Sequence, residues 1–449
     1  MSEQAQAGEI LSVERSGPLR GNCRVPGDKS VSHRALLFGA LTDGVVEIAG
    51  LGLGGDNVST ARALQALGVA IDRAGEQARV TGVGLRGLRA AAQAIDCGNS
   101  GTSIRLLTGL AAGQPFETVL EGDSSLTKRP MRRLAEPLRL MGATVDGRVE
   151  PQRPNDIFPP LRIRGGALHG IRYTLPVASA QLKSALVLAG LQAKGSTIIT
   201  EPAQSRDHTE RMLRFLGAPV SADPTSNTIT VEPDGWDGRL RAMPITVPGD
   251  FSSATFLLVA ALIVAGSDVV VENVGINPTR TGALDVLRAM GGDLTVTQTG
   301  EAMGEPVARI HARASRLRGV RVDGTLALRS IDEIPALTVA AAAAEGTTVF
   351  ADLEELRVKE SDRIRALARE LGRAGVTVTE QRDGLSIVGT GDGDSLGGGT
   401  VNPEGDHRIA MAAAILGLCA AETTLVEAKE IATSFPTFAA TLRALGATL

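Results

Sequence analysis

Apolar positions recur at helical spacing in several stretches of the chain, such as Met131, Leu134, Leu138 and Met141, or Thr209, Met212, Leu213 and Leu216. Such stretches end in an apolar residue, a glycine and a short β-prone run. The junctions are Leu67-Gly68-Val69, Met141-Gly142-Ala143, Leu216-Gly217-Ala218, Met290-Gly291-Gly292, Ala374-Gly375-Val376 and Leu445-Gly446-Ala447. Their glycines are 74, 75, 74, 84 and 71 residues apart, which is the signature of an internal repeat. A glycine at such a junction is expected to stop the helix by taking the left-handed conformation.

Upstream of each junction a second helix precedes a short strand. The strands are expected over Val45–Ile48, Thr118–Leu120, Thr197–Thr200, Asp268–Val271, Thr347–Phe350 and Thr424–Val426. Several of these earlier helices are apolar nearly all round: ALVLAGL from Ala185, ATFLLVAAL from Ala254, ALTVAAAAA from Ala336 and AMAAAILGL from Ala410. Helices of that kind belong in a core, with sheets packed outside them. Ordinary α/β units on a parallel sheet would put the apolar runs in the strands instead. The pattern predicts an α/β protein of six βαβαββ-like units. Six units of about 75 residues exceed one domain of ordinary size, and three plus three do not. We expect a first domain over 27–245 and a second over 1–26 and 246–449, with the boundary near Pro244–Val247. A leftover strand at Glu9–Val13 is expected to cross back and complete the last unit.

Composition narrows the partners. The chain has 449 residues, with 46 basic against 50 acidic side chains and a formal net charge of −4, so it lacks a global attraction to nucleic acid or anionic lipid. Aromatic residues make up 2%, too few for platforms that stack bases. Cys23, Cys97 and Cys419 are odd in number and widely spaced, which suits a reducing compartment rather than a disulfide framework. The opening residues lack the pattern of a secretory signal, and the longest apolar run, Phe256–Ala265, is about half of a membrane span. A soluble cytoplasmic chain is expected, with no nucleic-acid or membrane partner.

Only six lysines occur, and four fall beside helix starts: Lys29 in PGDKSVSHR, Lys128 in SLTKRPMRR, Lys183 in ASAQLKSA and Lys359 in LRVKESDR. A cation is unfavourable at a helix N-terminus unless an anion is bound there. Other unit starts carry related chemistry: Asn99, Ser100, Thr102 and Arg105 in CGNSGTSIR, Ser205, Arg206 and His208 in SRDHTER, and His407 and Arg408 in GDHRIA. Hydroxyl and acidic residues at such places also serve as simple N-caps. Caps do not need Lys29, Arg34, Arg129, Arg206, Lys359, Arg363 and Arg408 alongside. Those cations suit small phosphorylated and carboxylated ligands, each phosphate carrying roughly −1.5 to −2.

Asp332, Glu360 and Asp406 are candidates for proton transfer, and salt bridges to Arg363 and Lys359 are the plainer reading of the first two. Spacing does not decide which acid donates and which accepts. Gly50, Gly52 and Gly55 match GxGxxG with Asp72 about 20 residues on, the basis for a nicotinamide-dependent dehydrogenase as an alternative. Its sister loops lack the glycines, and GDKS at Gly27–Ser30 lacks the upstream glycine of a phosphate loop. His33, His169, His208, His311 and His407 form no pair at metal-ligand spacing, so no metal is expected.

Taken in order, PGDKSVSHR, GNSGTSIR, LTKRPM, VASAQLKSA, SRDHTE, LRVKESDR, DHRIAM and ATSFPTF resemble the 5-enolpyruvylshikimate-3-phosphate (EPSP) synthase family across almost the whole chain. The resemblance implies the enolpyruvyl transferase fold, an inside-out α/β barrel of two domains with the active site in the cleft between them. It implies transfer of the enolpyruvyl group of phosphoenolpyruvate to the 5-hydroxyl of shikimate 3-phosphate with release of phosphate, in the shikimate pathway to aromatic amino acids. It implies neither cofactor nor metal, and a monomer. Carried over by motif, Lys29, Ser30, Arg34, Ser179, Ala180, Gln181, Ser205, Arg206, Asp332 and Lys359 would hold shikimate 3-phosphate. Lys29, Asn99, Gly101, Arg129, Gln181, Arg363 and Arg408 would hold phosphoenolpyruvate. Asp332 would take the hydroxyl proton and Glu360 would protonate the methylene carbon, with Lys29 a further candidate.

Ala180, His208 and Thr433 depart from the best-known branch of that family and resemble its second, divergent branch. That branch includes members insensitive to glyphosate in which the residue at Gly101 is Ala, so Gly101 implies inhibition here. The sister family that uses UDP-N-acetylglucosamine is the nearest alternative, and the reactive Cys of its loop is missing from EGDSSLTKRP.

Overall fold

The computed structural model describes residues 10–391 and 396–449. The chain divides into two units, the first made of Gly27–Val247 with Glu301–Glu305, the second of 10–26, Pro248–Gly300 and Pro306–Leu449. At the core of the first unit lie helices α1 (Lys29–Ala40), α2 (Gly101–Ala111) and α3 (Ala180–Gly190). Helices α4 (Phe251–Ile263), α5 (Ile334–Ala343) and α6 (His407–Gly417) do the same for the second. Every residue of Phe251–Leu262 in α4 is buried, as is all of Ile334–Ala342 in α5. The Ala and Leu runs therefore lie inside, and full burial of each such Leu contributes roughly 1.5–3 kcal/mol. Their many alanines allow close approach. At Gly109 a Cβ would lie 2.2 Å from the carbonyl oxygen of Ala185, so only glycine lets α2 come this near to α3.

Outside the helices are six sheets, five of four strands and one of three among the described residues. The second repeat shows the βαβαββ order in full. Ile95–Asp96 runs parallel to Glu117–Glu121, which pairs antiparallel with Arg153–Arg164, and that strand pairs with Thr144–Glu150. Each unit borrows a strand for its first sheet: Ile245–Thr246 lies beside Val45–Ala49, and Arg20–Arg24 beside Asp268–Gly275. The three-stranded sheet takes Ile10–Val13 antiparallel to Thr424–Glu427. Of the strand expected over Glu9–Val13, Glu9 lies outside the described residues.

All six junction glycines adopt positive φ, from 81° at Gly375 to 108° at Gly142. A Cβ is disfavoured there, which is why the repeat is readable as glycine. One segment departs from the expected division. Glu301–Glu305, the turn of the hairpin formed by Asp293–Ala302 and Glu305–Arg313, belongs with the first unit. Met303 is buried in that unit's apolar core, and Arg211 Nη1 donates to the Gly304 carbonyl at 2.8 Å.

Candidate functional site

In each unit polar side chains tie the three buried helices together at their starts. In the first, Arg34 Nη2 on α1 donates to Ser184 Oγ on α3 at 2.9 Å. Arg105 Nη1 on α2 donates to Gln181 Oε1 on α3 at 2.8 Å, and Gln181 Nε2 returns a bond to Thr102 Oγ1 at 2.8 Å. Ser100 and Ser179 cap α2 and α3 through their hydroxyls, and Asp28 caps α1 by accepting from Val31 N at 2.8 Å. The starts carrying Lys29, Ser30, Asn99, Gly101, Ser179, Ala180 and Gln181 thus belong to one tied cluster.

Lys29 occupies the first helical position of α1, where the helix dipole disfavours it. Asp56 supplies the anion, 2.5 Å from Nζ. Arg129 Nη2 donates to Asn99 Oδ1 at 2.8 Å, and a Cβ at Gly101 would lie within 3 Å of both Arg105 and Arg129 guanidinium groups. Arg34 is turned inward. Its Nε donates to Thr209 Oγ1 at 2.7 Å and its Nη1 to the Ser30 carbonyl at 2.9 Å. Burial lowers its pKa to about 10, opposed by Glu210, Asp28 and Glu305 and helped by Arg206.

One expectation needs correction. Lys183, grouped by sequence with the anion-binding lysines, is 1% exposed and ion-paired with Glu201 and Glu210, both at 2.8 Å. Burial alone would lower its pKa, but the two carboxylates raise it. Its ammonium also donates to the Ser205 carbonyl at 3.4 Å, while Ser205 Oγ donates to Glu201, so this ion triad shapes the loop that presents Ser205 and Arg206. The Gly50–Gly55 loop is likewise structural. A Cβ at Gly27 would strike the Gly50 carbonyl oxygen at 1.7 Å, and one at Gly50 the Val247 carbonyl oxygen at 2.6 Å, so the glycines serve a crossing of three chain segments.

In the second unit Arg363 is the centre of the charged cluster. It is 1% exposed and lies 2.7 Å from Asp406, 2.7 Å from Glu360 and 3.7 Å from Asp332. Burial disfavours its charge, but Asp406, Glu360 and Asp332 together raise its pKa beyond the ordinary arginine value. Asp406, also buried, is held below the usual carboxylate range because Arg363 outweighs its desolvation. Asp406 caps α6 by accepting from Arg408 N at 2.9 Å, and Arg408 Nη1 donates to the Asp332 carbonyl. Lys359 Nζ lies 3.8 Å from Asp332. Three carboxylates and three cations thus share one set of contacts, and Arg363 Nη1 is buried without a hydrogen bond. Such a cluster can hold an anion and move a proton beside it.

Sequence reading missed Asp56, Glu201, Glu210 and Glu305. His208, expected at a unit start and as a departure from the best-known branch, is 2% exposed with Nδ1 2.7 Å from Glu305 Oε1. No local motif marks these partners, because each comes from a distant segment or another face of the fold. Among the described residues no group of three or more His, Cys, Asp or Glu could hold a metal ion, and no helix is long and apolar enough to cross a membrane.

The family model for EPSP synthase (3-phosphoshikimate 1-carboxyvinyltransferase) matches residues 13–442. A 3-phosphoshikimate 1-carboxyvinyltransferase of Geobacter sulfurreducens is 52% identical over 435 residues, covering 96% of this chain and 98% of the relative. One from Halorhodospira halophila is 52% identical over 443 residues, covering 98% and 96%. A solved structure of EPSP synthase from Acinetobacter baumannii superposes with a TM-score of 0.86 at 44% identity, covering 98% of this chain and 99% of that one.

Proposed function

The chain belongs to the EPSP synthase family and transfers the enolpyruvyl group of phosphoenolpyruvate to the 5-hydroxyl of shikimate 3-phosphate with release of phosphate, and we propose the following roles for its residues. Lys29, Ser30, Arg34, Ser179, Ala180, Gln181, Ser205 and Arg206 hold shikimate 3-phosphate, and Arg34 also braces that site through the Ser30 carbonyl. Asp332 and Lys359 lie at its reacting side. Lys29, Asn99, Gly101, Arg129, Gln181, Arg363 and Arg408 hold phosphoenolpyruvate.

In the addition step Asp332 takes the proton of the 5-hydroxyl as its oxygen bonds to C2 of phosphoenolpyruvate, and Glu360 protonates C3. In the elimination step the Glu360 carboxylate takes a proton from C3, the C2–C3 double bond re-forms and the C2–O bond breaks as phosphate leaves. Lys29 can also carry a proton. The observation that supports this reading is the arrangement around Arg363, which contacts Glu360 at 2.7 Å and Asp332 at 3.7 Å, so one fixed cation orients both acids. Positioned acids and bases typically contribute about 10²–10⁴-fold.

The test is phosphate release on mixing the two substrates, with each omitted in turn. Dependence on both is expected, and Asp332→Asn and Glu360→Gln should each lower kcat by at least about 100-fold. Release without shikimate 3-phosphate, or wild-type kcat in both variants, overturns the assignment. We also infer a cytoplasmic monomer. Three free cysteines and scattered exposed apolar residues such as Val45, Leu140 and Val388 support it, and light scattering tests the monomer.

A further inference from the structure

Glu333 follows Asp332 directly and is fully buried, yet its carboxylate serves a different set of groups. Ser252 Oγ, in the first turn of α4, donates to Glu333 Oε1. Arg280 Nη2 donates to the same Ser252 oxygen at 2.8 Å and lies 3.8 Å from Glu333 Oε1 and 3.6 Å from Asp250 Oδ1. Arg280 itself is 3% exposed and is fixed in a turn by its own N–H to the Asn277 carbonyl at 3.0 Å. The two consecutive carboxylates therefore diverge. Glu333 is held by α4 and the Arg280 turn, and Asp332 faces Lys359 and Arg363 with its carbonyl accepting from Arg408. Glu333 also receives the first backbone bond of α5, from Leu337 N at 3.0 Å, so its placement sets where that helix begins.

Burying an ion pair of this kind is a poor route to stability, since an apolar replacement of both partners is often neutral or better. Its geometric effect is specific: it fixes the peptide that carries Asp332. We propose that Glu333, locked by Ser252 and Arg280, is a positioning residue that holds the Asp332 carboxylate at its working distance from Lys359 and Arg363. This rests on the reading of Asp332 as proton acceptor. A small misplacement of a reacting group can reduce rate up to about 100-fold while leaving binding intact.

The experiment uses the full chain and compares Glu333→Gln, Ser252→Ala, Ser252→Thr and Asp332→Asn by kcat, KM for each substrate, the pH profile of kcat and thermal unfolding. Glu333→Gln is expected to lower kcat at least tenfold with both KM values within twofold, and to move the acidic limb of the profile. Ser252→Ala should do the same, and Ser252→Thr, which keeps the hydroxyl, should recover most of the rate even if Glu333→Gln fails to fold. Wild-type kcat and pH profile in folded Glu333→Gln and Ser252→Ala, with Asp332→Asn inactive, overturn this inference alone. Full activity of Asp332→Asn removes the proton-acceptor reading and this inference with it.

Discussion

Gly101 lies directly against Arg129: a Cβ at this glycine would sit 2.8 Å from the guanidinium Nη1, and 2.6 Å from that of Arg105. Both neighbours are ends of flexible side chains, so Gly101→Ala should fold normally while displacing the two guanidinium groups. The expected result is a several-fold rise in KM for phosphoenolpyruvate with little change in thermal midpoint. The family resemblance links a glycine at this position to inhibition by glyphosate, so the wild-type enzyme should be inhibited and the variant less so. Unchanged wild-type turnover at millimolar glyphosate would refute this.

Asn99 orients Arg129 by a 2.8 Å hydrogen bond from Nη2. Asn99→Ala should leave the cation present but unaimed, raising KM for phosphoenolpyruvate about tenfold, equivalent to roughly 1.4 kcal/mol, with a smaller effect on the other substrate. Steady-state kinetics with each substrate varied separately checks it, and equal effects on both KM values would count against the role given to Asn99.

His33 is buried, with Nδ1 2.6 Å from Thr60 Oγ1 and no hydrogen bond at Nε2. Desolvation pushes its pKa down to about 3, with Lys29 and Arg34 acting in the same direction against Asp56. Between its ordinary value and about 3, the unfolded chain binds a proton that the folded chain refuses. Stability should therefore fall as pH drops through that window, by about 1.4 kcal/mol per pH unit, or roughly 2 kcal/mol from pH 6.5 to 5. Urea unfolding at both pH values should show a shallower dependence in His33→Gln, and an identical slope would exclude His33 as the source.

Lys183 has two buried carboxylates and little water around it. Lys183→Met should destabilise the protein by about 3–5 kcal/mol, because Glu201 and Glu210 lose their shared cation. Adding Glu201→Gln and Glu210→Gln should recover part of the loss. Denaturant titration of the three-site variant decides it, since no recovery would mean that volume rather than charge is at fault.

The architecture was legible where one residue type has a single physical reason to recur. Gly68, Gly142, Gly217, Gly291, Gly375 and Gly446 all need positive φ, and Ala-rich helices need burial on every side. Polar partners were not legible. Lys29 and Lys183 both lie in the first turn of a core helix, yet Lys183 is enclosed by Glu201 and Glu210 from elsewhere in the fold while Lys29 stays partly open beside Asp56. Arg34 in PGDKSVSHR reads as a ligand-binding cation, and its bonds to Thr209 and Ser184, which tie it to distant helices, were not legible. Gly50 and Gly52 imitated part of a nucleotide fingerprint because close backbone crossing and phosphate binding both require a missing Cβ.

The pairing of Ile10–Val13 with Thr424–Glu427, and of Arg20–Arg24 with Asp268–Gly275, imposes an order on biosynthesis. A nascent chain emerging from the ribosome presents these early strands hundreds of residues before their mates exist. The inserted unit can finish folding first, while its sibling must wait: Arg20–Arg24 stays unpaired until Asp268–Gly275 is made, and Ile10–Val13 until Thr424–Glu427 emerges near the end of translation.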